Sequence, residues 1–200
     1  MFNTFARAFV ARLIDPLGAA LLKVGLTPNV VTLLGAAGAV SCALVFLPRG
    51  MLLAGTFTVW AFVMLDLVDG AMARVTGATR FGAVLDATCD RLVDGALFAA
   101  ITWWAFAVGN SRAAAVALVC LVLAQVISYV KARAAASGFP AEGGLAERAE
   151  RLVIALIGTG LQGLGVPHAV EVSLWLLALL SLLTLAHRIR VVVEAARNAG

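Results

Sequence analysis

Charge is scarce in this chain: Asp, Glu, Lys and Arg make up 13% of its 200 residues, against 62% hydrophobic residues and a mean hydropathy of +1.02. A water-soluble domain of this length has too little interior to hide so much apolar surface, so the natural solvent is a lipid bilayer. No polar stretch is long enough to fold by itself, which excludes a separate soluble domain. One membrane domain over residues 1–200 is expected, with residues 1–27 as an interfacial helix and lead-in and 28–200 as a transmembrane bundle. Cysteine is sparse and lacks metal-type spacing. Cys42, Cys89 and Cys120 each sit in an apolar run and read as small core residues. The two histidines, His168 and His187, have no second His or Cys nearby and read as plain residues near helix ends. No internal repeat or low-complexity tract is present.

The N-terminus lacks the basic, apolar and small-residue order of a cleaved signal peptide. Phe2, Phe5, Phe9 and Leu13 instead alternate with Arg7 and Arg12 at helical spacing, as expected of a helix lying in the membrane interface. Beyond it, apolar runs near the usual transmembrane length of about 17–25 residues predict an all-α protein with about six spans. They cover Val30 to Leu47, Met51 to Arg74, Phe81 to Val108, Ala113 to Ala135, Arg148 to Leu164 and Val170 to Val193. Thr27-Pro28 favours a helix start, and Pro48-Arg49-Gly50 and Gly109-Asn110 favour helix stops. Six spans put 13 of the 15 Lys and Arg residues on one side and leave only Arg49 and Arg112 on the other. The positive-inside rule then puts both termini and the basic loops in the cytoplasm, at the plasma membrane. The sequence pI near 9.5 reflects that topology and anionic headgroups. Nucleic acid is not implied, because no stacking aromatics accompany the basic residues.

Five of the eleven acidic residues lie in LDLVDGAMARVTGATRFGAVLDATCDRLVDG. Asp66 and Asp69 are three residues apart, and Asp86 and Asp90 four apart. Each spacing stacks two carboxylates on one helix face. Clustered ionised carboxylates at the edge of a membrane repel one another and need compensation. One such aspartate would usually be solvated or paired with Arg74, Arg80 or Arg91. Four at stacked spacings, beside the small residues Gly70, Ala73, Gly82 and Ala83, point to a hard divalent cation, Mg²⁺ or Mn²⁺. Four carboxylates suffice for two ions bridged roughly 3.5–4 Å apart. Asp94 continues the face at i+8, either as a supporting or packing residue or as a further ligand.

A second group is basic. Lys131 and Arg133 end the fourth span, Arg148 and Arg151 open the fifth, and Arg188 and Arg190 close the sixth. Ordinary anchoring of helix ends accounts for any one of them. Three cation pairs on one side suggest a pocket for an anionic substrate.

The acidic stretch resembles the signature of the CDP-alcohol phosphatidyltransferase family, D-x-x-D-G-x-x-A-R followed by G-x-x-x-D-x-x-x-D. Here it is carried by Asp66, Asp69, Gly70, Ala73, Arg74, Gly82, Asp86 and Asp90. The spacer from Val75 to Phe81 is at the short end for that family. The segment GLTPNVVT is similar to the family's Pro-Asn-x-x-Thr. The resemblance implies transfer of a phosphatidyl group from CDP-diacylglycerol to an alcohol, releasing CMP. It implies metal binding by Asp66, Asp69 and Asp86, with Asp66 and Asp86 bridging. Asp90 would serve the second metal and act as general base. Arg74 and Thr79 would contact the donor, Gly70 would leave room for the base, and Asn29, Val30, Val31 and Thr32 would hold the nucleotide through the helix start. Within the family, FGAVLDATCDR, QVISYVKARAAASG and ERAERL look like the bacterial phosphatidylinositol phosphate synthases. That likeness implies inositol 1-phosphate as the acceptor, held by Lys131, Arg151 and Arg188 with Arg133 as a further contact. A homodimer is also implied by the family. Glycerol 3-phosphate as acceptor is the rival within the family, and the basic pocket alone does not separate the two. An intramembrane prenyltransferase should be longer, with two separated Asp-rich motifs. A divalent-cation transporter should place its carboxylates near mid-membrane.

Overall fold

The computed structural model describes residues 14–141 and 143–199. Phe2, Phe5, Arg7, Phe9, Arg12 and Leu13, the residues of the expected interfacial helix, lie outside them. Residues 14–23 are helical, and seven longer helices follow: α1 (Pro28–Phe46), α2 (Leu52–Val63), α3 (Leu65–Thr76), α4 (Arg80–Ala107), α5 (Ser111–Ala136), α6 (Arg148–Gly163) and α7 (Ala169–Ala199). No strand occurs among the described residues. Among the described residues, four stretches are long and apolar enough to cross a membrane: Pro28–Phe46, Leu52–Thr76, Ser111–Ala136 and Ala169–Asn198. They make this an all-helical membrane protein.

The expected second span is two helices. Met64 separates α2 from α3 with φ −65° and ψ −21°, and the Leu67 N–H bonds the Met64 carbonyl at 3.2 Å. This is a tighter i→i−3 turn between the two helices. At the far end of α3, Gly77 takes φ +94°, a conformation that side-chain-bearing residues avoid. The chain reverses there, and Thr79 starts α4 by accepting the Gly82 N–H on its hydroxyl at 2.9 Å.

The chain divides into two compact units. One holds residues up to Cys42 together with Thr58–Val93; the other holds Ala43–Phe57 and everything from Asp94 onward. The core of the first is Val31, Val68 and Met72, with Ile14, Leu21, Leu22, Leu26 and Leu65 packed on it. Gly35 gives α1 room to lie close to Phe62 and Leu65, where an added Cβ would meet Leu65 Cβ and the Phe62 carbonyl at 3.2 Å each.

In the second unit α7 packs against both α5 and α6. The α5 face is a seam of mostly small buried residues at alternating spacings of four and three: Ala113, Ala117, Cys120, Ala124 and Ile127. The buried stripe of α7 follows the same rhythm through Val170, Leu174, Leu177, Ser181, Thr184 and Arg188. Small residues let helices approach until dispersion contacts and weak polar bonds form, as between Cys120 Sγ and the Leu174 carbonyl. The outward faces remain apolar: Phe57, Val122, Trp175, Leu179 and Leu182 are exposed, as lipid-facing residues are. Cys42, Cys89 and Cys120 are unpaired thiols, with Cys89 and Cys120 buried.

Candidate active site

In the first unit, the turn at Gly77 places α3 and α4 so that their carboxylates meet. Oxygens of Asp66, Asp69 and Asp86 all lie within 4.8 Å of one another. Asp69 is buried, and its neighbour across the helix boundary is Thr32 of α1, whose hydroxyl donates to Asp69 Oδ2. The same hydroxyl is 3.0 Å from the Pro28 carbonyl, so one proton is placed between two acceptors. Three carboxylates this close repel strongly unless a cation joins them. An all-oxygen set suits Mg²⁺ or Mn²⁺, so these residues fit a divalent metal. Asp90 stands outside the three and has Arg91 at 3.8 Å.

The donor-side residues gather around the same helix starts. Asn29 Oδ1 and Thr79 Oγ1 flank Gly82, where an added Cβ would lie 3.2 and 3.0 Å from them. Around Gly70 the space is open, with only Arg74 Nη1 reaching within 4 Å of a built Cβ. Arg74 is exposed and sits 4.0 Å from Asp15. One detail differs from the expectation of free N–H groups at the start of α1. The N–H groups of Val30 and Val31 already bond the Thr27 carbonyl at 3.1 and 3.2 Å. Beyond the donor contacts expected of Thr79 and Thr32, the structure gives each hydroxyl a fixed partner, the Gly82 N–H for Thr79 and the Asp69 carboxylate for Thr32. The position of Thr79 three residues before Gly82, at a helix start, is the signal for its capping role.

The basic residues belong to the second unit, and they are not alike. Lys131 and Arg133 are exposed, whereas Arg151 and Arg188 are 2% and 1% exposed. A buried guanidinium needs a counter-charge and acceptors for its donors. Arg188 has both: it pairs with Glu147, donates Nη1 to the Ile127 carbonyl at 2.8 Å and Nε to the Gly143 carbonyl at 3.3 Å. Arg151 donates Nη2 to Asp94 Oδ2 at 3.1 Å and Nη1 to the Ala146 carbonyl at 3.0 Å. Asp94 is therefore a counter-ion for arginines, outside the three-carboxylate group, with Arg148 also 3.9 Å away. Glu147 opens the segment ERAERL, but only the fold shows that it pairs with Arg188, 41 residues further on. Arg188 was legible as a cation at the end of the sixth expected span, and the structure adds that it closes the seven-residue rhythm of the α7 stripe.

The sequence model of CDP-alcohol phosphatidyltransferases matches residues 25–186, most of the chain. The chain belongs to that family. It is a membrane-embedded transferase of phospholipid synthesis. Within the family it is 49% identical over 195 residues to the phosphatidylinositol phosphate synthase of Mycobacteroides abscessus, covering 96% of this chain and 89% of the relative. It is 52% identical over 191 residues to that of Mycolicibacterium smegmatis, covering 93% and 86%. Its fold matches the crystal structure of Mycobacterium tuberculosis phosphatidylinositol phosphate synthase with CDP-DAG bound, with a TM-score of 0.87 and 50% identity over 91% of this chain and 94% of that one. The same enzyme in complex with manganese and citrate matches with a TM-score of 0.85 and 49% identity, over 90% and 88%.

Proposed function

We propose that this chain transfers the phosphatidyl group of CDP-diacylglycerol to the hydroxyl of inositol 1-phosphate, giving phosphatidylinositol phosphate and CMP. The observation that carries the reading is the meeting of Asp66, Asp69 and Asp86 within 4.8 Å, on the motif positions of the family. Likeness to phosphatidylinositol phosphate synthases along nearly the whole chain supports the inositol phosphate acceptor.

Asp66, Asp69 and Asp86, joined by Asp90, would hold two Mg²⁺ or Mn²⁺ ions. When bound, the metal neutralises the pyrophosphate and favours charge developing on the phosphoryl oxygens. The remaining chemistry belongs to the side chains. Thr32 orients the Asp69 carboxylate. Asn29, Val30, Val31, Thr32, Arg74 and Thr79 hold the nucleotide and phosphates, and Gly70 leaves space for the base. The acceptor hydroxyl oxygen attacks the phosphorus bearing the diacylglycerol, the bond to CMP breaks, and the hydroxyl proton passes to Asp90. Lys131, Arg151 and Arg188, with Arg133, hold the acceptor's own phosphate, which does not react.

In the membrane, α4 and α6 complete a six-span bundle with the four apolar stretches. At 28 residues α4 is long enough to cross, about 42 Å at 1.5 Å per residue, although Asp86, Asp90, Arg91 and Asp94 load it as far as its middle. Both termini and the reacting groups face the cytoplasm, at the plasma membrane, and the enzyme works as a homodimer. The test is direct: purified protein is given radiolabelled CDP-diacylglycerol with inositol 1-phosphate, inositol, glycerol 3-phosphate or choline, and the lipid product is identified. Phosphatidylinositol phosphate is the expected product. Phosphatidylglycerophosphate as the main product would overturn the acceptor assignment.

A further inference from the structure

Asp94 is wholly buried near the middle of α4. Its two oxygens face two guanidinium groups: Oδ2 accepts from Arg151 Nη2 at 3.1 Å, and Oδ1 lies 3.9 Å from Arg148 Nε. Arg151 is held from a second side, because its Nη1 donates to the Ala146 carbonyl. Ala146 is itself fixed, its N–H bonded to the Thr184 hydroxyl of α7 at 2.9 Å. The Arg151 head is thus clamped between α4 and a loop strapped to α7. Its third nitrogen, Nε, is buried and has no hydrogen-bond partner among the described residues. Buried donors are nearly always satisfied, and an exception points to a missing water or ion. An oxyanion is the acceptor that a guanidinium so placed would take.

We propose that Asp94 is a positioning residue for acceptor binding and acts through Arg151. The inference rests on the reading of Arg151 as a contact for the acceptor phosphate. An arginine left to itself samples many rotamers. Fixing its plane through Nη1 and Nη2 commits the remaining donors to one direction, so less freedom is lost when the phosphate arrives. Asp94 also supplies the counter-charge that keeps Arg151 buried while the pocket is empty.

The test is steady-state kinetics of the full-length enzyme at saturating metal, comparing Asp94→Asn, Asp94→Glu, Arg151→Gln and the double variant Asp94→Asn with Arg151→Gln. Asp94→Asn should raise the KM for inositol 1-phosphate roughly ten-fold and leave the KM for CDP-diacylglycerol within about two-fold. The double variant should be no worse than Arg151→Gln alone, since a residue acting through another adds nothing once that one is gone. Asp94→Glu keeps the charge but shifts the oxygens by a methylene, and should recover part of the loss. Should Asp94→Asn fail to fold, the double variant, which removes both buried partners, decides, and an acceptor KM well above that of Arg151→Gln alone overturns the proposal. Additive losses in the double variant also overturn it, as does a rise in the metal needed for half-maximal rate with the acceptor KM unmoved. If Arg151→Gln raises the acceptor KM and Asp94→Asn does not, the positioning role alone falls. If neither does, the acceptor-pocket reading falls with it.

Discussion

Thr32 of α1 donates its hydroxyl to Asp69 of α3, a buried bond between residues 37 positions apart. It ties the helix start at Pro28 to a carboxylate of the candidate metal group. Thr32→Val keeps the shape and removes the donor, leaving a buried carboxylate oxygen unsupported. The metal concentration for half-maximal activity should rise roughly ten- to hundred-fold, the equivalent of one lost hydrogen bond to a charged group at roughly 1.5–3 kcal/mol. Thr32→Ser should stay near wild type. A metal titration of activity for both variants checks this.

Excess chelator should abolish turnover, because three carboxylates and a pyrophosphate are left facing each other without a counter-charge. Asp66→Asn should lose activity and yet unfold at a higher temperature than the native chain when both are metal-free, since it relieves repulsion with Asp69 and Asp86. Added Mg²⁺ should raise the Tm of the native chain more than that of the variant. Thermal unfolding in detergent, with and without metal, measures both effects.

Asp90 should separate from the other three aspartates in kinetics. Asp90→Asn should cut kcat by about 10²–10⁴-fold, the range for loss of a general base, with the CDP-diacylglycerol KM little changed. Near-full turnover at saturating metal would place the base elsewhere.

Lys131 is exposed, so its truncation removes a contact without burying a defect. Lys131→Ala should lower kcat/KM for inositol 1-phosphate about ten- to hundred-fold, the equivalent of roughly 1.5–3 kcal/mol for a charge-assisted contact. The KM for the CDP-lipid should move far less, and free inositol should be a poor acceptor for the native enzyme. Initial rates with the two acceptors decide it.

Gly163 lies where α6 meets the start of α2. A Cβ there would stand 2.6 Å from the Leu53 nitrogen and 3.1 Å from its Cα, both backbone atoms. Backbone cannot swing aside as a side-chain tip can, so Gly163→Ala should cost about 1–3 kcal/mol. That corresponds to a fall in Tm of about 2–4 °C per kcal/mol for a chain of this size. A thermal melt of the purified variant tests it.

Much of this architecture is written in local patterns. Pro28 and Arg148 begin helices where the sequence predicts them, and α4 begins one residue before Phe81 and ends one before Val108. The motif aspartates on α3 and α4 were legible because helical spacing and a short connection restrict where their carboxylates go. The break at Met64 was not, since its backbone stays close to helical and no Gly or Pro marks it. Trp103 and Trp104 look equivalent in sequence, yet Trp103 is 65% exposed and Trp104 only 8%, because neighbours on a helix differ by about 100° in direction. Asp94 shares the period of the motif aspartates but serves arginines instead. Periodicity shows which residues share a face, and only the fold shows what that face meets.

The stripe from Val170 to Arg188 makes α7 a helix whose phase is fixed. Arg188 lies 18 residues from Val170, about 27 Å along the axis. Inserting one residue between them would turn Arg188 by about 100° and swing it from the buried seam towards the outside. Inserting seven would return it to within about 20° of its direction, one heptad further along. The outer face of α7 can therefore vary in side-chain size, whereas a change in its residue count keeps Arg188 in the seam only when it adds or removes close to a whole number of turns.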